Sequence, residues 1–312
     1  MTPRSNHPMP PVAVRPEGVR PHLEQAVQDG GGRLVEPADA QMLVWTDPTD
    51  AEGLRGLLGT NSGIEVVQLL WAGVEDFAAQ GLFDDARTWA CGKGVYADPV
   101  AEHALAMMLA GLRGLPGRVG ATSWGPQWGH SLFGSRVTIL GGGGITESLI
   151  RLLQPFDVDL TVVRRNPSDM PGVARVVDAD QTSAALSEAD VVVLALALTA
   201  DTRGVIDAGA LQTMQSDAWL INVARGEHVV TDDLVAALRD DQIAGAALDV
   251  TDPEPLPDGH PLWGLDNVII TPHTANTEEM AVPLIAARVA ANVRRLAAGE
   301  PLIGLVDPGL GY

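Results

Sequence analysis

Short apolar runs separated by stretches of helical periodicity occupy nearly the whole chain. This pattern predicts strands joined by crossover helices in parallel sheets. In the first third, runs at residues 12–14, 42–45, 66–71 and 88–91 predict one small sheet of four or five strands. A strongly apolar helical segment follows at 99–112, its Pro99 placed where a first helical turn tolerates a missing amide hydrogen. Runs at 137–140, 160–163, 191–198, 220–223, 246–250 and 268–270 then predict a second sheet of six buried strands. From 277 to 298 the pattern is one long amphipathic helix that Gly299 would close as a C-cap, returning to the first domain. The fold class is therefore α/β in two domains, one over 1–97 with 278–312 and the other over 98–277.

Composition narrows the function. A chain of 312 residues has the length of about two domains, and 46% hydrophobic with 19% charged residues excludes global disorder. The formal charge of −20 would repel phosphate backbones and anionic membrane surfaces, so neither nucleic acid nor membrane is expected as a partner. The longest apolar run, 191–198, is too short to cross a bilayer, which needs about 20 residues. Cys91 is the only cysteine, so no internal disulfide and no thiolate zinc cluster can form, and no metal site is expected. This fits a reducing, cytoplasmic compartment. Residues 1–11 hold four prolines and no apolar stretch, and read as a loose tail and not a secretion signal.

The candidate chemistry begins at Arg136-Val-Thr-Ile-Leu-Gly-Gly-Gly-Gly-Ile-Thr-Glu-Ser-Leu-Ile150, a strand, a glycine turn and a helix. Glycines let the backbone approach a pyrophosphate while the helix N-terminus offers amide hydrogens and partial positive charge. Gly141 and Gly143 fill the first two positions of GxGxxG, with Gly144 and Ile145 opening the helix, but Thr146 stands at the third. The same stretch is compatible with an ordinary strand-to-helix turn. After the next strand, an acidic residue would suit the ribose hydroxyl of NAD. Here Arg164-Arg165 stand instead, which suits the 2′-phosphate of NADP, or two solvated arginines at a strand tip.

Three further segments place polar residues just beyond strand ends, where open α/β sheets bind ligands: Leu220-Ile-Asn-Val-Ala-Arg-Gly-Glu227, Ala247-Leu-Asp-Val-Thr-Asp-Pro-Glu-Pro-Leu-Pro257 and Val268-Ile-Ile-Thr-Pro-His-Thr-Ala275. With Leu69-Leu-Trp-Ala-Gly-Val74, Val100-Ala-Glu-His-Ala104, Leu196-Ala-Leu-Thr-Ala-Asp-Thr-Arg-Gly204 and His260-Pro-Leu-Trp263, their order and spacing resemble the D-isomer-specific 2-hydroxyacid dehydrogenase family. The likeness is to its glyoxylate and hydroxypyruvate reductases and covers nearly the whole chain.

The resemblance implies a doubly wound Rossmann-type parallel sheet inserted into a smaller flavodoxin-like substrate domain. It implies Arg225, Glu254 and His273 as the catalytic triplet, with Ala72, Gly73 and Val74, beside Arg225 and His273, holding substrate. Thr199, Thr202, Val223, Asp249 and Ala275 would join Gly141, Gly143, Gly144, Ile145, Arg164 and Arg165 around the cofactor, NADP being preferred and NAD possible. The residue types suit a 2-oxo acid. Arginine offers a bidentate fork, histidine a proton, and a neighbouring glutamate fixes the imidazole tautomer. Taken singly, Arg225 could be a surface ion-pair former, Glu254 a turn residue and His273 a loop histidine. Asp249 could accept the nicotinamide amide, as the resemblance implies, or merely end a strand, and His103 and Glu102 are read as capping and orienting their helix. The glycine-rich excursion 115–133, with Trp124 and Trp128, would wrap a second subunit in a homodimer built through 103–135, or else be a covered surface loop. A phosphorylated-substrate dehydrogenase would need basic residues near Ala72, where Glu75 and Asp76 stand instead. From another class, the chain could be a dinucleotide-sensing scaffold without significant turnover.

Overall fold

In the computed structural model, residues 9–309 are described, so most of the predicted N-terminal tail lies outside the described residues. The chain divides into two compact units, Ala97–Asn276 forming one and the residues on either side of that segment the other.

The discontinuous unit is built on five strands, β1 (Pro11–Arg15), β2 (Arg33–Leu34), β3 (Met42–Trp45), β4 (Val66–Leu69) and β5 (Thr88–Ala90). They pair in parallel in the order β2-β1-β3-β4-β5. Because side chains alternate across a strand, Ala13, Leu43 and Val67 enter one core with Leu54 and Leu58, while Val12, Val14, Met42, Val44 and Val66 enter another. The second core is closed by Leu23 and Val27 of helix His22–Asp29 and by Ile285, Val289 and Val293 of helix Glu278–Ala298. That i, i+4, i+8 stripe makes the last helix part of this unit. Thr277 caps it and Gly299, at φ +65°, ends it.

The Ala97–Asn276 unit carries β6 (Arg136–Leu140), β7 (Asp159–Val163), β8 (Arg175–Val177), β9 (Val191–Leu194), β10 (Trp219–Asn222), β11 (Gly245–Leu248) and β12 (Val268–Ile270). All are parallel, in the order β12-β11-β10-β9-β6-β7-β8. The winding reverses between β6 and β9, so a crevice opens at their carboxyl ends. Helix Ala97–Leu112 lies against β10, and Gly111 is required there: a Cβ would fall 2.4 Å from the buried ring of Trp219.

Three expectations change. The second sheet has seven strands because β8 is an exposed arginine and two half-buried valines, too short an apolar run to announce it. The run 191–198 is strand only to Leu194, and Ala195–Leu196 instead form the wall against which the glycine turn packs. The run 66–71 leaves the sheet after Leu69, which puts Trp71 in a loop.

Candidate active site

Each of the three loops beyond β10, β11 and β12 is fixed by buried polar groups. After β10, the fully buried Asn222 donates from Nδ2 to the Arg225 carbonyl at 2.8 Å and accepts from the Ala224 amide at 3.1 Å. This ties the turn that presents Arg225, whose guanidinium donates to the Ala224 carbonyl. The next residue must be glycine. A Cβ on Gly226 would lie 2.0 Å from the Thr251 carbonyl carbon and oxygen, so the Arg225 loop and the segment leading to Glu254 touch backbone to backbone.

After β11, the Asp249 carboxylate is 2% exposed and organises the following loop. Its Oδ1 accepts from Thr271 Oγ1 at 2.6 Å and the Thr274 amide at 2.8 Å, with His103 Nε2 at 3.5 Å, and Oδ2 accepts from the Ala275 amide at 3.0 Å. Burial alone would raise its pKa. The hydrogen bonds from His103, Thr271, Ala275 and Thr274 outweigh that and hold it at about 2. The Asp249 carbonyl also accepts from the His273 amide at 2.8 Å.

After β12, these bonds hold His273 at φ +52°, a left-handed conformation uncommon for any residue but glycine. His273 Nδ1 then meets Glu254 Oε1 at 2.7 Å, both side chains about half exposed. A carboxylate accepts only, so Nδ1 carries the hydrogen and Nε2 is left to face a ligand. Arg225, Glu254 and His273 are thus brought together through linked loops.

The glycine turn sits at the switch point. Gly141 has φ +111°, and a Cβ there would be 2.2 Å from the Ala195 carbonyl oxygen, so the loops after β6 and β9 close on each other with no room for a side chain. Gly143 caps helix Gly144–Leu153 with no side-chain hydrogen bond to its first turn and nothing within 4 Å of where a Cβ would be, beside Gly144 and Ile145, so the turn offers the amide hydrogens and the open space that dinucleotide phosphates require. Thr146, fully buried, donates from Oγ1 to the Gly141 carbonyl at 2.7 Å. The missing third glycine is therefore made good by a hydrogen bond across the turn. Arg164 Cδ and Nε both lie 2.9 Å from where a Gly142 Cβ would be, so its stem covers the turn, while Arg165 is exposed and engaged.

Other expected contacts are used internally. Thr202 Oγ1 accepts from the Thr199 amide at 2.8 Å and donates to the Ala197 carbonyl, locking the loop after β9. The Ala275 amide serves Asp249, and Val223 is 6% exposed at the end of β10. Ala72, Gly73 and Val74 belong to the other unit, between β4 and helix Glu75–Ala79, for which Val74 is the buried N-cap. His103 does not cap its helix. Its Nε2 lies 3.0 Å from Thr271 Oγ1, bracing the histidine loop from below, whereas Glu102 is exposed. Thr271, Thr274 and Asn222 escaped the sequence reading. The one signal for His103 was a polar ring on an otherwise apolar helix.

Trp124 and Trp128 are 95% and 54% exposed, which removes the covered-loop reading of 115–133. Among the described residues no helix is long and apolar enough to cross a membrane and no cluster suits a metal ion.

A Rossmann-type sheet whose crevice combines a glycine turn with an arginine and a glutamate-paired histidine defines a dinucleotide-dependent oxidoreductase. The family model described as "D-isomer specific 2-hydroxyacid dehydrogenase, NAD binding domain" matches residues 105–275. The chain is 38% identical over 305 residues to an uncharacterized protein in the proB 3′ region of Corynebacterium melassecola, covering 94% of this chain and 98% of that one. It is 32% identical to the human glyoxylate reductase/hydroxypyruvate reductase, over 88% and 93% of the two chains. In structure it resembles a D-isomer specific 2-hydroxyacid dehydrogenase from Xanthobacter autotrophicus Py2 in complex with NADPH and MES, with a TM-score of 0.86, 28% identity and 98% and 100% coverage. The chain belongs to the D-isomer specific 2-hydroxyacid dehydrogenase family, and so to the NAD(P)-dependent oxidoreductases.

Proposed function

We propose that the protein reduces small 2-oxo acids of the glyoxylate or hydroxypyruvate kind to D-2-hydroxy acids, using NADPH in preference to NADH. The observation that carries this is the 2.7 Å pair of His273 Nδ1 and Glu254 Oε1, at the carboxyl ends of the strands and beside the Arg225 loop. Arg225 binds the substrate carboxylate and carbonyl oxygen through its planar fork and polarises the carbonyl. Glu254 holds the imidazole with hydrogen on Nδ1, and His273 passes a proton from Nε2 to the carbonyl oxygen. The amides of Ala72, Gly73 and Val74 add to the grip on the carboxylate. A bound reduced nicotinamide supplies the hydride. In this reading Gly141, Gly143, Gly144 and Ile145 receive the pyrophosphate. Val223, Thr199, Thr202 and Ala275 shape the nicotinamide side, where Asp249 acts chiefly by positioning His273. The unit Ala97–Asn276 serves as the dinucleotide domain and the remainder as the substrate domain.

Two facts support NADPH. Arg164 and Arg165 follow β7, where a carboxylate would repel a 2′-phosphate, and the Xanthobacter relative was crystallised with NADPH. The test is oxidation of NADPH and NADH against glyoxylate, hydroxypyruvate and longer 2-oxo acids, in wild type and in Arg164→Ala with Arg165→Ala. The double variant is expected to lose about ten- to a hundredfold in NADPH affinity, the effect of one lost charge-assisted contact, with NADH little changed. Equal loss for both cofactors would overturn the assignment of the arginines, and an absence of turnover on the whole panel would overturn the activity.

A further inference from the structure

One feature of the Ala72–Val74 loop does not follow from holding a substrate's own carboxylate. Trp71, immediately before it, leaves the sheet at the end of β4 and is held from both sides. The Gly92 amide donates to its carbonyl at 2.7 Å, and its ring stacks on Phe77 with centroids 6.4 Å apart. Tyr96 Oη donates to the neighbouring Leu70 carbonyl at 2.6 Å. Gly92 cannot be another residue, since a Cβ would lie 2.4 Å from the Leu70 oxygen. The loop is thus a rigid platform whose aromatic part is the half-buried Trp71.

Over that ring stands Arg20, its guanidinium carbon 6.0 Å from the centroid. Arg20 follows β1, and because the sheet is parallel the loops after β1 and β4 emerge at the same end. An arginine is used sparingly in a chain with 20 basic against 40 acidic residues, and among the described residues this one has no acidic partner closer than 4.0 Å. Its Nε is buried and makes no hydrogen bond among the described residues, and the carboxylate of Glu278, itself 79% exposed, approaches only to 4.0 Å. Exposed pairs at that distance contribute little. Glu17, the other nearby acid in the loop, is taken by Arg15 at 3.0 Å. The side chain of Arg20 is 22% exposed, and its guanidinium lies over the face of Trp71, the residue that precedes the loop.

We propose that Arg20, on Trp71, is a specificity residue that selects, among 2-oxo acids, those with a second anionic group beyond the carbonyl, carboxylate or phosphate. This rests on the reading of Ala72–Val74 as the carboxylate-binding loop. The sequence shows only Glu75 and Asp76 near that loop and so argues against a second anion. The fold reverses this by bringing in Arg20 from more than fifty positions away. The guanidinium matches a carboxylate or phosphate through two parallel N–H groups.

Matched substrate pairs test it: oxaloacetate against 2-oxobutyrate, 2-oxoglutarate against 2-oxovalerate, and 3-phosphohydroxypyruvate against hydroxypyruvate. Each is assayed with NADPH in wild type, Arg20→Met and Arg20→Lys. In wild type at least one dianion is favoured over its partner. In Arg20→Met that preference, as a ratio of kcat/KM, falls about ten- to a hundredfold through KM and not kcat, and Arg20→Lys recovers part of it. Which pair moves tells carboxylate from phosphate. Turnover of the monoanions with no dianion preference, or with a ratio that Arg20→Met leaves unchanged, overturns this inference and leaves the reductase activity standing. No turnover of any 2-oxo acid overturns both.

Discussion

His273 is the residue on which the proposed chemistry turns, and its backbone is as unusual as its side chain. At φ +52° a β-carbon crowds the main chain, and the conformation persists because its amide and the two that follow are all tied to Asp249. A test of the side chain should leave that backbone alone. Asparagine tolerates the left-handed region better than most residues and cannot donate a proton at the required position, so His273→Asn separates chemistry from folding. We expect kcat to fall by about 10² to 10⁴, the usual contribution of a general acid, with NADPH affinity and thermal midpoint close to wild type. A variant with near-normal kcat would take the acid role from His273. Glu254 is legible beside it only as one carboxylate among 40 acidic residues until the loops are folded. The motif order, and not the local sequence, singles it out.

At the scale of elements, the histidine loop is held by a buried carboxylate, and this makes a stability prediction with a definite sign. Asp249 has its pKa lowered from 3.8 to about 2, so the folded state binds this proton less readily than the unfolded chain. Its contribution, about 2 kcal/mol, is therefore fully present above the ordinary carboxylate range and is lost as pH falls from about 4 towards 2. Denaturant titrations in that window should show a steeper loss of stability for wild type than for Asp249→Asn, which is destabilised at neutral pH but lacks this titration; parallel curves would refute the assignment. The same region shows where sequence patterns stop. A run such as 42–45 coincides with a strand because both faces of that parallel strand are buried, which makes every position apolar. The short β2 and β8 carry no such run, their residues being exposed or half-buried. The glycine turn was legible because Gly141 answers to a backbone contact that no other residue permits. His103 was not, because what it braces lies 168 positions away and a helix periodicity cannot report a partner in another element.

For the molecule as a whole, the unexplained surface is the excursion that follows helix Ala97–Leu112. Leu115, Val119, Trp124, Trp128 and Phe133 are 47%, 86%, 95%, 54% and 65% exposed in the single chain, while a chain with 40 acidic residues has ample polar groups to place there. The segment is nonetheless ordered against its own unit. The His130 amide donates to the Leu112 carbonyl at 2.7 Å, Arg118 donates to the Pro126 carbonyl, and Gly114, at φ +60°, lies against the Trp128 ring, where a Cβ would be 2.7 Å from Cζ2. An arm that is both structured and apolar on its outer side is suited to a partner surface, and a second copy related by a two-fold axis would bury both arms at once. Tryptophan is enriched among the few residues that carry most of an interface's energy. We therefore expect light scattering at micromolar concentration to give twice the chain mass, and Trp124→Asp with Val119→Asp to give the mass of one chain while each unit keeps its fold by circular dichroism. A wild-type mass of one chain, or a double variant that remains paired, would show that the arm serves something other than this dimer.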